Sequence, residues 1–174
     1  MKITRRHGRA RLRLEPEEVA VLQSMLDELD ALLAASAESA ENDETDENAE
    51  ADDQFQDEVL ARLNPAAYRD DAGAEEEYRA LTASSLRELR DERLAACRAD
   101  LAVGGEIELD PETGRRWIQV LNDLRLALGT RLGVTEDDDH DVDPTDPDAQ
   151  PRVVYYWLTA VQDSVVRVLM RSSR

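Results

Sequence analysis

The chain has a single cysteine, Cys97, and only two histidines, His7 and His140, among its 174 residues. One cysteine excludes an intramolecular disulfide bond and any zinc site that is built from several cysteines. No stretch approaches the roughly 18 apolar residues of a membrane-spanning helix. No apolar core follows the basic N-terminal residues, so we expect no signal peptide, a cytoplasmic location and no membrane partner.

Signatures of catalysis are also scarce. The sequence contains no nucleophile elbow, no Walker phosphate loop and no dinucleotide-binding fingerprint. Both histidines fall in segments that we expect to be mobile, and carboxylate pairs are too common in so acidic a chain to mark one site. We therefore predict a protein that is not an enzyme, has no catalytic residues and needs neither a cofactor nor a metal ion.

The net charge of −19 is unevenly distributed along the chain. Residues 37–53 carry nine acidic residues and no base, and residues 134–149 carry eight acidic residues and no Lys or Arg. Such segments have too little apolar surface to fold on their own. We predict one domain, residues 1–174, with disordered acidic segments at about 37–54 and 134–150.

The second acidic segment includes DDDHDVDPTDPD, residues 137–148, whose alternating aspartates resemble a calcium-binding loop. Val142 stands where such a loop has glycine, and Asp148 stands where it has glutamate. A disordered acidic loop is therefore the stronger interpretation of this segment.

Apolar residues recur at helical spacing in four long stretches, which predicts a mainly α fold with four long helices in a bundle. The stretches cover about 15–36, 74–103, 111–132 and the residues after Pro151. A fifth, short helix is expected within 57–71, where Asn64-Pro65 interrupts the helical pattern.

Two segments have a similar residue pattern: RLRLEPEE, which begins at Arg11, and EIELDPET, which begins at Glu106. In each, a short alternation of charged and apolar residues leads into a helix start. We refer to them as the two similar phrases. A lone strand of four or five residues is unstable and needs a partner. Arginines on one strand opposite glutamates on the other would stabilise such a pair. We therefore predict a small two-stranded β-ribbon that joins residues 10–14 to residues 106–109.

The first 14 residues hold six Lys and Arg residues and no acid, and form a basic arm. The candidates for nucleic-acid contact in this arm are Arg5, Arg6, Arg9, Arg11 and Arg13. The alternative is an arm that keeps the protein soluble and neutralises its own acidic segments, or that forms one face of the β-ribbon. Because no aromatic residues alternate with the arginines, stacking on single-stranded nucleic acid is not expected.

Cys97 lies within the apolar stripe of its predicted helix, and two interpretations of it are open. Free cysteine is among the most buried residue types, which favours a core position. Alternatively, Arg93 and Arg98 could lower the pKa of the thiol and make it a redox-active group. With no second cysteine, oxidation would give a sulfenic acid, a mixed disulfide or a bridge between two chains.

Five sequence pieces carry a family resemblance over nearly the whole chain outside the acidic segments. They are RLRLEPEEVAVLQSML, VLARLNPAAYRDD, EEEYRALTASSLRELR, LDPETGRRWIQVLNDLRLALGTRLGV and YYWLTAVQDSVVRVL. Their order resembles an actinobacterial family classified as a domain of unknown function, whose described members are the oxidative-stress transcriptional regulator AosR. The resemblance implies a cytosolic regulator that senses oxidation through cysteine and acts on transcription through DNA or an RNA polymerase sigma factor.

The chain departs from this family in one respect. The redox switch described for the family uses two nearby cysteines, but Arg93 and Leu101, one turn either side of Cys97, are not cysteine. A redox response through Cys97 would need a small thiol or a second chain, which a homodimer would supply. The rival hypothesis is an adaptor-like protein-interaction module that binds no nucleic acid and whose cysteine is structural.

Overall fold

The computed structural model describes residues 1–6, 9–41, 50–135, 138 and 142–172. In chain order its elements are strands β1 (Lys2–Arg6) and β2 (Arg9–Arg13), helices α1 (Pro16–Glu41), α2 (Glu50–Leu63) and α3 (Ala72–Ala102), strand β3 (Glu106–Glu108), and helices α4 (Pro111–Arg131) and α5 (Ala149–Ser172). The mainly α prediction is therefore confirmed, with four long helices and the shorter α2. None of the helices in these ranges is long and apolar enough to cross a membrane.

Helix α4 is the centre of the bundle and packs against α1, α2, α3 and α5. Trp117, Leu121 and Leu124 of α4 are buried, because their spacing of three and four residues places them on one face. They share one core with buried residues of the neighbouring helices, such as Leu26 of α1 and Leu158 of α5. The core therefore surrounds α4, and the sheet closes one side of it with Leu12 and Ile107.

The sheet confirms the pairing that the two similar phrases predict. Strands β2 and β3 are antiparallel, with Arg11 opposite Glu108 and Arg13 opposite Glu106. The sheet also has a third strand, β1, which the sequence analysis does not anticipate and which pairs with the other side of β2. Ile3 lies opposite Leu12 and packs against the core, and this contact gives the basic N-terminal residues a reason to become a strand.

The two similar phrases meet at Gly105. The backbone N–H of Leu14 donates to the carbonyl of Gly105 at 2.8 Å. Gly105 has a φ of 75°, and a Cβ there would lie 2.9 Å from the Leu14 carbonyl oxygen. Only glycine fits this close approach without strain. Helix α4 then starts at once, because Asp110 accepts hydrogen bonds from the N–H groups of Glu112 and Thr113 at 2.9 and 2.8 Å.

The helices extend into both ends of the first predicted acidic segment, 37–54. Helix α1 continues to Glu41 and α2 begins at Glu50, in stretches where Ala and Glu favour helix. Residues 42–49 lie outside the described residues, and there the disorder stays a prediction. Helix α2 ends at Leu63, just before Asn64-Pro65, where the sequence places the interruption.

The second acidic segment, 134–150, includes a local turn in which Asp143 accepts from the N–H and hydroxyl of Thr145 at 2.8 and 2.7 Å. Arg152 of α5 also lies 3.5 Å from a carboxylate oxygen of Asp138. The prediction of disorder here is left with residues 136–137 and 139–141, which lie outside the described residues. Those residues include His140 and four positions of the suggested calcium loop, and His7 also lies outside the described ranges.

Candidate functional site

Two of the five arginines proposed for nucleic-acid contact are engaged by glutamates of β3. Arg11 Nη1 lies 2.7 Å from a Glu106 carboxylate oxygen and Arg11 Nη2 lies 3.6 Å from one of Glu108. Arg9 Nη1 lies 2.8 Å from the other Glu108 oxygen. The hydrogen bond to Glu106 is the main cause that raises the pKa of the Arg11 guanidinium. A phosphate group would therefore have to compete with carboxylates that are already bound.

Arg13 differs from Arg9 and Arg11. It is exposed, lies opposite Lys2 across the β1–β2 pair, and like Lys2 has no ion pair within the described residues. Like charges directly opposite each other destabilise a strand pair, so this end of the sheet has positive charge available for an anionic partner. Arg5 and Arg6 belong to β1, in register with Ala10 and Arg9, and their side chains lie outside the described part of the structure.

Cys97 is fully buried in the core between α3 and α4. Burial raises the pKa of its thiol to about 12, although Arg116 of α4 acts in the opposite direction. At neutral pH the thiol is protonated, and a protonated thiol is a poor nucleophile. In this conformation Cys97 has the properties of a core residue.

The basic group beside Cys97 is not the one that the sequence suggests. Arg98 points to α1, where it donates to Asp27 at 3.1 Å and to Asp30 at 3.0 Å. The cation that faces the thiol is Arg116, which comes from the next helix. The expectation that Arg93 and Arg98 lower the pKa of Cys97 is therefore wrong, because neither acts on the thiol and Arg98 is paired with two carboxylates of α1.

Asp100 organises the surroundings of Cys97. One of its carboxylate oxygens accepts from Arg116 Nη2 at 2.9 Å and from Trp117 Nε1 at 2.8 Å. The buried Arg116 Nε has no hydrogen-bond partner among the described residues. This network ties α3 to α4, and sequence reasoning did not identify it. The available signal was the three-residue spacing of Cys97 and Asp100, which places both on one face of α3.

The first two thirds of α3 have large apolar side chains in solvent. The buried residues of α3 are Leu94, Cys97 and Leu101, all in its last third. Before them, Leu81 is 73% exposed and Leu89 is 46% exposed. We call Tyr78, Leu81, Leu86 and Leu89 of α3, together with Tyr68 of the preceding connection, the exposed α3 face; all five are exposed. Several large apolar side chains exposed along one helix indicate an interaction surface more strongly than scattered ones do.

A groove of about 390 Å³ runs between α2 and α3 beside the exposed α3 face. Its walls include Leu60 of α2, and Tyr78 and Leu86 of α3. The ring of Tyr78 makes an edge contact with that of Tyr68 at a centroid distance of 5.9 Å. The groove also contains the exposed Arg87, which has no ion pair among the described residues.

Two polar residues hold the groove in shape. Glu75 accepts from the N–H groups of Ala67 and Tyr68 at 2.8 and 2.9 Å, and these bonds lower the pKa of its carboxyl. They fix the connection between α2 and α3. Arg90 donates to the carbonyl of Leu63 at 3.3 Å and lies 3.4 Å from Asp123 of α4. The walls are thereby fixed to the bundle.

Among residues that carry the family resemblance, several have structural roles. Besides Asp123 and Trp117, Arg125 of α4 donates to Thr159 at 2.9 Å and to Gln162 at 2.7 Å, both on α5. Its guanidinium also lies 5.4 Å from the centre of the Tyr155 ring.

Within the described residues there is no group of three or more His, Cys, Asp or Glu side chains that could hold a metal ion.

Comparisons with known proteins support the resemblance. Residues 1–169 match the family described as Domain of unknown function, DUF2017. The oxidative stress regulator AosR of Mycobacterium bovis is 35% identical over 67% of this chain and 60% of its own length. The protein of the same name from Mycobacterium tuberculosis matches to the same extent. The chain thus spans about 60% of the length of these relatives. No solved structure matches. On the match of its residues 1–169, this chain belongs to the DUF2017 family.

Proposed function

We propose that this chain is a non-enzymatic regulator of the oxidative-stress response that acts by binding another protein through the exposed α3 face. An RNA polymerase sigma factor is the class of partner that we propose, because it links such binding to transcription. The names of the mycobacterial relatives support a regulatory role. The observation that carries the proposal is the exposure of large apolar side chains along the first two thirds of α3.

The character of the exposed α3 face favours a protein partner. Tyrosine and leucine side chains offer apolar area, and aromatic and arginine side chains are enriched at the centres of protein interfaces. Arg87 adds a cation at the edge of the same face. The groove walls are braced by Glu75 and Arg90, so binding need not be accompanied by a large loss of conformational entropy.

DNA binding through Arg5, Arg6, Arg9, Arg11 and Arg13 is the second candidate. The unpaired charges of Lys2 and Arg13 favour it, whereas the carboxylates bound to Arg9 and Arg11 count against it. The salt dependence of the affinity distinguishes DNA binding from protein binding. Each phosphate contact makes the slope of log affinity against log salt concentration steeper by about 0.9. Contacts from all five arginines would give a slope of about −4.5.

We propose that Cys97 is structural in the folded protein. Its burial and the raised pKa of its thiol support this role. A redox response that uses Cys97 would first require α3 to separate from α4. On this proposal, the reduced, folded chain does not sense oxidants itself, and the partner protein senses them instead.

The test uses purified sigma factors encoded in the same genome, with binding to the chain measured by isothermal titration calorimetry. Leu81→Ser with Leu89→Ser should weaken binding roughly tenfold or more, since each removes apolar area from the interface. Val103→Ser with Val153→Ser is the matched control, because these side chains are also exposed but lie outside the exposed α3 face. Equal effects of the two double variants, or no binding to any sigma factor, would contradict the proposal.

A further inference from the structure

Strand β1 is an edge strand, and its backbone polar groups face two directions. The carbonyl of Ala10 and the N–H of Leu14 bond towards β3 and its flanks, at 2.8 Å each. The odd-numbered residues of β2 therefore bond towards β1, where their partners are Lys2, Thr4 and Arg6. Successive residues of a strand direct their backbone groups to opposite sides, so the N–H and C=O groups of Ile3 and Arg5 face the outer edge of β1. No other described strand pairs with them there.

A groove of about 420 Å³ lies along this outer edge, between β1 and the end of α5. Ile3 and Thr4 contribute to one wall, and Ser164 and Val168 contribute to the other. Ile3 and Val168 also pack in or against the core, so the groove has an apolar side that is fixed in place. An exposed sheet edge can accept an added peptide strand, and pockets beside it give specificity for alternate side chains.

Positive charge surrounds this groove. Lys2 and Arg171 line it, and neither has an ion pair among the described residues. Arg167 also lines it and lies 2.6 Å from Asp163 in an exposed pair on the same helix. Arg13, opposite Lys2, adds a further unpaired cation. In a chain with a net charge of −19, unpaired cations at one edge provide charge complementarity for an acidic partner.

We propose that the groove between β1 and α5 binds an extended acidic peptide of a partner protein, which adds to the sheet as a fourth strand beside β1. Its backbone pairs with the outward N–H and C=O groups of Ile3 and Arg5. Peptide side chains that lie across from Lys2 are acidic, and those that lie across from Ile3 are apolar, because side chains alternate along a strand. The ligand is a segment of about five residues in which acidic and apolar side chains alternate.

This inference does not rest on the exposed α3 face, because the two surfaces share no residues and can be tested separately. The alternative explanation of the cations is protective, since lysine on an edge strand discourages unwanted pairing. A protective edge would bind no peptide. Contact with DNA phosphates is a further alternative, which needs the charges but not the backbone groups of β1.

The experiment titrates the full chain with the capped peptide Glu-Val-Asp-Val-Glu and follows amide chemical shifts by NMR. We expect saturable shifts at Ile3, Arg5 and Val168. A peptide N-methylated at alternate residues, so that it cannot donate towards β1, should lose binding. Lys2→Glu with Arg171→Glu should weaken binding roughly tenfold. The control, Arg62→Glu with Arg131→Glu, changes the net charge equally at exposed positions away from the groove and should bind normally.

Several results would overturn the proposal. The absence of shifts at Ile3 and Arg5 at millimolar peptide would exclude strand addition. Equal binding of the N-methylated peptide would mean that charge alone is responsible. A third contrary result would be that a DNA duplex binds the wild type but not the Lys2→Glu with Arg171→Glu variant, while the peptide gives no shifts. That result would assign the cations to nucleic-acid binding instead. Failure of the sigma-factor test would leave each of these readouts unchanged.

Discussion

The chemical reactivity of Cys97 is open to a quantitative test. Burial raises the pKa of its thiol from the ordinary 9.0 to about 12. A change of three units lowers the thiolate population near pH 8 roughly 1000-fold relative to the unfolded chain. The side chain is also fully buried, so a reagent cannot reach the sulfur without an opening of the core. We expect alkylation of the folded protein to be at least 1000-fold slower than in denaturant.

The assay follows iodoacetamide modification by intact mass at pH 8, in buffer and in concentrated guanidinium chloride. Cys97→Ser provides the background. If modification in buffer proceeds through opening, its rate should rise with small additions of denaturant, because these increase the open population. A native rate within tenfold of the denatured rate would show that the thiol is accessible and reactive in the folded protein, and would restore Cys97 as a redox candidate.

The same pKa shift has a consequence for stability at high pH. The folded core favours the neutral thiol, so this contribution is complete below about pH 9 and is lost as the pH rises towards 12. The loss is on the order of 1 kcal/mol per pH unit in the middle of that window. Cys97→Ser, which does not titrate there, should show a smaller fall in unfolding free energy than the wild type. Parallel curves for the two proteins would contradict the assigned pKa direction.

Three further substitutions test local features by chemical denaturation. Asp110→Ala removes the cap of α4 and should lower the unfolding free energy by about 1 kcal/mol; an unchanged midpoint would mean that the cap contributes nothing. Gly105→Ala should destabilise the protein by about 1–3 kcal/mol because of its positive φ and a backbone oxygen at 2.9 Å. Its control, Gly73→Ala, meets no closer atom than 3.6 Å and should be neutral or stabilising. Trp117→Phe removes the indole donor to Asp100 and leaves part of a fully buried site unfilled, so it should cost about 1–3 kcal/mol, and a cost near zero would contradict both the bond and the tight packing.

Much of the fold could be predicted from the sequence because its signals are local or repeated. Three- and four-residue apolar spacing defines the core face of α4, and Asp110-Pro111 marks its start. The opposite charges of Arg11 and Glu108 indicate the pairing of β2 with β3, although the two strands are far apart in sequence. Strand β1 was missed because Ile3 is its only apolar residue, and five residues with one apolar side chain give no alternating pattern.

The candidate sites were less predictable because they depend on packing between helices. Cys97 sits on a recognisable stripe, but its neighbour Arg116 comes from the next helix, and only the α3–α4 contact brings the two together. The exposed α3 face was also hidden, since Leu86 and Leu89 have the same helical periodicity as core residues. Whether such a stripe is covered depends on where the other helices end, and this is not encoded in its own spacing.

We propose that a protein partner binds along the first two thirds of α3. The most direct test is hydrogen–deuterium exchange of this chain alone and in the presence of any sigma factor for which calorimetry detects binding. We expect complex formation to slow exchange in residues 68–91 and to leave exchange in β1 and β2 unchanged. Protection confined to the sheet, with no change between residues 68 and 91, would contradict it.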